Sequence, residues 1–313
     1  MRLRASLPES VRRRAINLGA PGERWLDELD ALVAALARDW SLQLGEVLQG
    51  GTEALVLSAV RSDGEPAVLK LGLPGSSELA LEARVLEIAE GRGYATLLGL
   101  DASRGAMLLE RLGPTLASLD LPPDAQMHAL ALALMNAWQP LAATSDFMTG
   151  ADKAIWLGEF ITEGQRSMAI PFSTAVIDAA LSCAEKRRRA HRDDNIFLVH
   201  GDAHAHNALL PVSPQPSASA CRFVDPDGLC AEREYDLGIV AREWQDDVFM
   251  SDPVRIGRIR CAELARLTAA DADAIWQWGL LERVSTAQVC MTMGMQDIAR
   301  RMLAGAAAWA AAR

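Results

Sequence analysis

The chain has 313 residues, half of them hydrophobic and 23% charged, enough to build a sizeable core or two lobes. A net charge of −10 excludes nucleic acid as a main partner. The five cysteines, Cys183, Cys221, Cys230, Cys261 and Cys290, are scattered and form no Cys-x-x-Cys pair, which points to reduced thiols in a cytoplasm and not to a disulfide framework.

Arg2, Arg4 and Arg12-Arg13-Arg14 make the N-terminus basic, but no apolar signal core follows them, and no run approaches the ~20 apolar residues of a membrane span. No membrane partner is expected. Residues 8–18 and 22–40 then read as helices, with Pro8 and Pro21 where first-turn prolines belong. Trp25, Leu29, Leu32, Val33, Leu36 and Trp40 recur at helical spacing and read as core. Leu42 to Val60 alternates as strands do around Gln49-Gly50-Gly51-Thr52. Two glycines at such a turn let backbone come close to a phosphate, although a plain hairpin turn would look the same. Next comes Glu65 to Leu71, an apolar strand carrying a single cation, Lys70. A helix over 76–91 offers Glu78 and Glu82 as partners for it. Tyr94 to Leu100 and Gly105 to Leu112 read as two more strands, and a boundary falls near Gly113-Pro114.

From Pro122 the pattern is helical: 127–139, 154–168, and 173–193 with Ser173 as the expected N-cap. Lys186-Arg187-Arg188-Arg189 lies near the end of the last, where the helix dipole favours cations, and reads as a solvated face. A Pro/Ser/Ala-rich tip spans 211–220. Residues 252–313 read as helical.

The most informative stretch is Val199-His200-Gly201-Asp202-Ala203-His204-Ala205-His206-Asn207, between the apolar runs Ile196–Val199 and Leu209-Leu210. Asn207 follows Asp202 by five residues. Eighteen residues further, after Arg222-Phe223-Val224, comes Asp225-Pro226-Asp227-Gly228. Phosphoryl transfer uses an Asp to orient the acceptor hydroxyl, and an Asn and a second Asp to hold Mg²⁺ on the phosphates. That order of residues supplies all three.

This segment resembles the aminoglycoside phosphotransferases, which are similar to protein kinases, with His-Gly-Asp in place of His-Arg-Asp. Asp225-Pro226-Asp227-Gly228-Leu229 followed by Glu232-Arg233-Glu234-Tyr235-Asp236-Leu237 resembles, more narrowly, the streptomycin 6-kinase and hydroxyurea kinase branch. The resemblance covers about 50–244. It implies an α+β, bilobal protein-kinase-like fold, with a small β-rich N-lobe over 1–112 and a large, mainly helical C-lobe over 113–313. It also implies transfer of the γ-phosphoryl of ATP or GTP to a hydroxyl of a small-molecule, aminoglycoside-like acceptor, with Mg²⁺ as cofactor. Asp202 would be the catalytic base, with Asn207 and Asp225 as the metal ligands. Gly50, Gly51, Thr52, Lys70 and its partner Glu82 would hold the phosphates, and backbone groups of Glu110 and Leu112 would meet adenine, with Met107 behind. Asp236 would brace the catalytic loop. Asp227 departs from the Lys that related sequences carry, and Arg242-Glu243-Trp244 departs from their Arg-Asn-Pro.

Two other readings compete. His200, His204 and His206 around Asp202 could ligate a metal in a hydrolase, or the fold could bind nucleotide without turnover. Seven carboxylates between Pro226 and Met250 (Asp227, Glu232, Glu234, Asp236, Glu243, Asp246 and Asp247) face only Arg233 and Arg242 as cations. As an acidic wall they would favour a cationic acceptor.

Overall fold

In the computed structural model the described residues are 3–49, 53–141, 147–167, 172–212, 217–244 and 252–312. Gly50, Gly51, Thr52, Asp246 and Asp247 lie outside them. The chain divides into two compact units, Met1–Gly113 with Pro211–Pro216, and Pro114–Leu210 with Ser217–Arg313.

The first unit begins with helices α1 (Leu3–Ser6), α2 (Glu9–Asn17) and α3 (Ala20–Asp39). Pro8 precedes α2 as its N-cap, and Pro21 sits in the first turn of α3, positions where the missing N–H costs no helical bond. The apolar stripe of α3, Trp25, Leu26, Leu29, Val33 and Leu36, is buried in one core with Leu55, Leu57, Leu69 and Leu71. Those leucines belong to an antiparallel five-stranded sheet: β1 (Gln43–Val47), β2 (Ala54–Val60), β3 (Pro66–Gly72), β4 (Leu97–Asp101) and β5 (Ala106–Glu110), in the order β1-β2-β3-β5-β4. Helix α4 (Glu78–Ala89) precedes β4. Glu90 caps α4 in the left-handed conformation (φ 50°), one residue before Gly91, the last position of the helix expected over 76–91. Strand β6 (Leu112–Thr115) leads onward.

The second unit is mainly helical: α5 (Pro123–Ala137), α6 (Gly150–Ser167), α7 (Thr174–Ala190), α8 (Glu234–Arg242), α9 (Pro253–Thr268), α10 (Ala272–Thr292) and α11 (Gln296–Ala311). The two units together give the expected α+β class. Helices α8 and α10 cross closely. A Cβ on Gly238 would lie 2.5 Å from Trp278 Cβ and 2.8 Å from the Gly279 nitrogen, so only glycine allows this approach. Trp276 stacks on Trp309 at 4.0 Å between ring centroids.

A small sheet frames the loop of interest. Strand β7 (Gln139–Pro140) pairs with β9 (Phe197–Val199), β9 with β12 (Leu229–Ala231), and β12 with β8 (Met148–Thr149). The hairpin β10 (Ala208–Pro211) and β11 (Arg222–Phe223) follows the loop. Ser173 stands at the N-cap of α7 but makes no side-chain cap bond. The basic run there is not simply solvated: Arg187 pairs with Glu232 at 3.2 Å and is largely buried, while Arg188 and Arg189 pair with Glu185. All five cysteines are buried and unbridged. Burial pushes the Cys221 thiol up to about 11 and Cys261 up to about 12, so neither supplies a thiolate near neutrality.

Candidate active site

In the first unit, Lys70 lies on the central strand β3, opposite Val56 of β2 and Met107 of β5. Met107 is fully buried. Lys70 Nζ is 2.5 Å from Glu82 Oε2, and both side chains are largely shielded from water. The other candidate, Glu78, instead approaches Arg14 and accepts from Ser76. A buried ammonium–carboxylate pair of this kind fixes a cation on a rigid strand. Glu110 ends β5, its carboxylate accepting from the Thr96 backbone N–H at 2.9 Å. Leu112 is buried in β6.

In the second unit, the loop 200–207 joins β9 to β10, and one buried carboxylate holds its start. Asp236 Oδ1 accepts from the Gly201 N–H, while Oδ2 accepts from the His200 N–H and from Trp138 Nε1, each at 2.9 Å. Burial pushes this carboxyl up, yet every one of these partners is a donor, an arrangement that suits an ionised acceptor. His200 is wholly buried. Its Nδ1 accepts from the Asp202 N–H at 3.0 Å and its Nε2 faces the Val224 carbonyl at 2.9 Å. The first bond requires a bare Nδ1, so Nε2 carries the proton and the ring is neutral. Burial lowers its pKa in the same sense. Gly201 has φ 94°, and a Cβ there would meet Asp227 Cβ at 2.6 Å. Glycine is required on both counts.

The loop then presents its polar groups. Asp202 Oδ1 accepts from Arg242 Nη2 at 3.0 Å, and Oδ2 lies 3.2 Å from His204 Nε2. Burial pushes this carboxyl up, but the His204 hydrogen bond and the Arg242 charge outweigh it and hold it below the ordinary carboxylate range. His204 moves the opposite way: burial lowers it, and Asp202 raises it further than that. Asn207 donates Nδ2 to the Asp202 carbonyl at 3.1 Å, which leaves its amide oxygen as the group able to serve a cation. The Asn207 carbonyl accepts from the Val224 N–H at 2.9 Å, bringing Asp225, the next residue, to the same end of the hairpin. Asp225 is exposed and holds a positive φ of 55°, a sparsely populated conformation that clusters at functional sites. An amide oxygen and a carboxylate are hard oxygen donors that fit Mg²⁺ completed by phosphate oxygens and water.

Two expectations change. First, His200 spends both ring nitrogens on backbone groups, so it is not a metal ligand. Among the described residues no group of three or more His, Cys, Asp and Glu side chains converges on a metal-sized site. Second, among the described residues most carboxylates of the expected acidic wall are engaged within the protein. Glu232 binds Arg187 and Trp278 Nε1, Glu234 accepts from the Asp271 N–H, and Asp236 is the loop brace. Glu243 in turn lies 3.7 Å from Arg242 Nε.

Sequence reasoning missed Arg242, Glu282 and Tyr235. Arg242 Nη1 donates to Glu282 Oε2 and to Thr286 Oγ1, both at 2.9 Å, and Glu282 Oε1 accepts from the Tyr235 hydroxyl at 2.6 Å. Burial and the adjoining Glu282 carboxylate push the Tyr235 hydroxyl well above its usual range. Arg242 lies six residues beyond Asp236 on the same helix, a relation visible in the sequence. Glu282 sits forty residues away in an apolar helix that carries no motif.

Among solved structures, choline kinase from Streptococcus pneumoniae superposes with a TM-score of 0.60 at 14% identity, covering 91% of this chain and all of that one. The GDP complex of aminoglycoside 2'-phosphotransferase-IIIa gives 0.55 at 15%, covering 91% and 98%. The fold is therefore that of the protein-kinase-like phosphotransferases. The family model for aminoglycoside/hydroxyurea antibiotic resistance kinases matches residues 39–294, and the chain belongs to that family. Streptomycin 6-kinase of Streptomyces glaucescens is 30% identical over 268 residues, 84% of each chain. Hydroxyurea phosphotransferase of Kitasatospora aureofaciens is 40% identical over 94 residues, 30% of this chain and 27% of that one. No helix among the described residues is long and apolar enough to cross a membrane.

Proposed function

We propose that this phosphotransferase moves the γ-phosphoryl of ATP or GTP to a hydroxyl of a small aminoglycoside-like acceptor. The observation that carries this reading is the loop 200–207. Its backbone is fixed by Asp236 and a neutral His200, and it presents an ionised Asp202 next to Asn207, whose main-chain carbonyl accepts from Val224, the residue before Asp225. Similarity to a streptomycin 6-kinase over 84% of each chain supports the acceptor class.

Asp202, held ionised by Arg242 and His204, would accept a hydrogen bond from the acceptor hydroxyl and take its proton as the new O–P bond forms. In a loose transition state such a group acts more by orienting the hydroxyl than by strength as a base. A low carboxylate pKa is compatible with that role. Asn207 and Asp225 would hold Mg²⁺, which when bound offsets charge on the β- and γ-phosphate oxygens. Lys70, fixed by Glu82, would bind the donor's phosphates, together with backbone of Gly50, Gly51 and Thr52. Glu110 and Leu112 would offer main-chain groups to the base. The lobes expected over 1–112 and 113–313 would act as the nucleotide lobe and the catalytic lobe.

The test is ADP and GDP release from the purified protein across streptomycin, other aminoglycosides, hydroxyurea, sugars, amino alcohols and nucleosides. Turnover that depends on an aminoglycoside is expected. Turnover with a nucleoside or simple sugar alone would reassign the acceptor, and none with any compound would favour a nucleotide-binding module.

A further inference from the structure

We propose that Arg242 is the positioning residue for Asp202, aimed by a buried Glu282–Tyr235 pair, and that it leaves Oδ2 as the oxygen that meets the acceptor. The inference rests on the reading of Asp202 as the catalytic carboxylate and adds to it a means by which that carboxylate is held.

Arg242 is 7% exposed at the end of α8. Its guanidinium is planar and always charged, so two bonds from Nη1 suffice to set its plane. Those bonds go to Glu282 Oε2 and Thr286 Oγ1, both on α10. Glu282 is in turn 6% exposed and is fixed through its other oxygen by the Tyr235 hydroxyl. Tyr235 comes from the first turn of α8 and Arg242 from its last. The pair of helices that Gly238 lets approach closely thus frames a single charged chain, Tyr235–Glu282–Arg242–Asp202. Its free end, Nη2, reaches Asp202 Oδ1 at 3.0 Å.

Such a chain is costly to bury unless its geometry is well satisfied. Two apolar side chains would make the α8–α10 contact at lower cost, and neither would reach a carboxylate that is still 38% exposed on its side chain. A permanent cation bonded to Oδ1 restrains rotation of the Asp202 carboxylate. Oδ2 lies 3.2 Å from His204 Nε2 and keeps a further lone pair with which to accept the hydroxyl proton. In the balanced step the acceptor O–H bond breaks toward Oδ2, the acceptor O–P bond forms, and the bond from Pγ to the bridging oxygen breaks to leave the nucleoside diphosphate.

The experiment measures steady-state ADP formation from Mg-ATP over a range of ATP concentrations, with water as acceptor and then with streptomycin, in four variants: Asp202→Asn, Arg242→Lys, Glu282→Gln and the double Arg242→Met/Glu282→Gln. The double variant removes both charges together and leaves neither buried alone, so it keeps the fold, as a thermal melt will verify. The expected result is a fall in kcat of roughly 10–100-fold in the double variant, the scale of a misplaced catalytic group, with the KM for ATP within about twofold of wild type because Arg242 does not meet the donor. Lysine should recover part of that loss, and Glu282→Gln, which keeps Arg242 but loosens it, should fall less than the double. A folded double variant with wild-type kcat, or one whose loss appears only in the KM for ATP, overturns the proposal. If Asp202→Asn itself turns over normally, the carboxylate reading fails first and this proposal with it. If Asp202→Asn is inactive and the Arg242 variants are not, only the present inference is lost.

Discussion

At the scale of single residues the proposed chemistry concentrates on Asp202, and its neighbours explain its state better than its sequence context does. Replacing it with Asn keeps the shape and most hydrogen bonds, and should lower kcat by roughly 10²–10⁴-fold while the KM for ATP moves little. Steady-state kinetics with the best acceptor reads both quantities, and a variant that keeps a third of wild-type kcat contradicts the assignment. Lys70 is a different case. A surface lysine could be cut back harmlessly, but this one is largely buried 2.5 Å from a buried Glu82. Lys70→Ala should therefore lower Tm as well as weaken ATP use, because it leaves a shielded carboxylate without its nearest cation. Lys70→Ala/Glu82→Gln should recover the Tm and not the ATP affinity. Equal recovery of both would make the lysine purely structural. The sequence displays the motif residues because they are local: His-Gly-Asp, Asn at +5, Asp-Pro-x-Gly. It does not display Arg242 and Glu282 as a unit, because their relation is made by a helix crossing forty residues apart.

At the scale of elements, the sequence is most informative where physics is local. The helices over 9–17 and 20–39 follow from proline at their starts and a 3.6-residue apolar stripe. The sheet strands follow from alternation around β2 and β3. What does not follow is the direction of charged side chains on α8 and before it. Glu232, Glu234 and Asp236 look like a solvent-facing acidic run when only their order is known, and all three turn inward to Arg187, Trp278, Trp138 and backbone donors. The same reasoning identifies a pH-sensitive joint between α5 and α9. His128 Nδ1 faces the Asp124 carbonyl at 2.7 Å and Nε2 faces Glu263 at 3.0 Å. Both partners accept, so the protonated ring satisfies both. The Asp124 carbonyl chiefly, with burial opposing and Glu263 assisting, raises its pKa above the ordinary histidine value. A raised folded-state value means that the joint stabilises fully below the unfolded pKa of ~6.5 and loses that contribution as pH rises through the folded value. His128→Gln should thus narrow its Tm gap to wild type between about pH 6 and pH 8. The gap should not exceed roughly 1–2 °C, since the ring is well exposed and screened. A gap that widens with pH contradicts this. Gly238→Ala tests the crossing of α8 with α10, where its Cβ would overlap Trp278. Thermal melts should show a loss of roughly 1–3 kcal/mol or more, the scale of an overpacked core, and a neutral substitution would mean that the helices can separate without cost.

At the scale of the whole molecule, the family match, the fold and the loop geometry agree on a small-molecule phosphotransferase. They overlap in residues but differ in kind: the match is one of sequence over 39–294, the fold one of topology, and the loop one of local hydrogen bonding around Asp202. Acceptor identity is where sequence patterns carry least, because acceptor contacts are made by side chains whose direction the order of residues does not set. The measurement that tests the central claim most directly follows the fate of the γ-phosphoryl group. The protein is incubated with γ-labelled ATP, Mg²⁺ and streptomycin, and the label is traced by ³¹P NMR and mass spectrometry in wild type and Asp202→Asn. The account predicts a phosphomonoester of streptomycin, formed by wild type and absent with Asp202→Asn. Label recovered only as inorganic phosphate, or a phosphomonoester formed equally by both proteins, would contradict it.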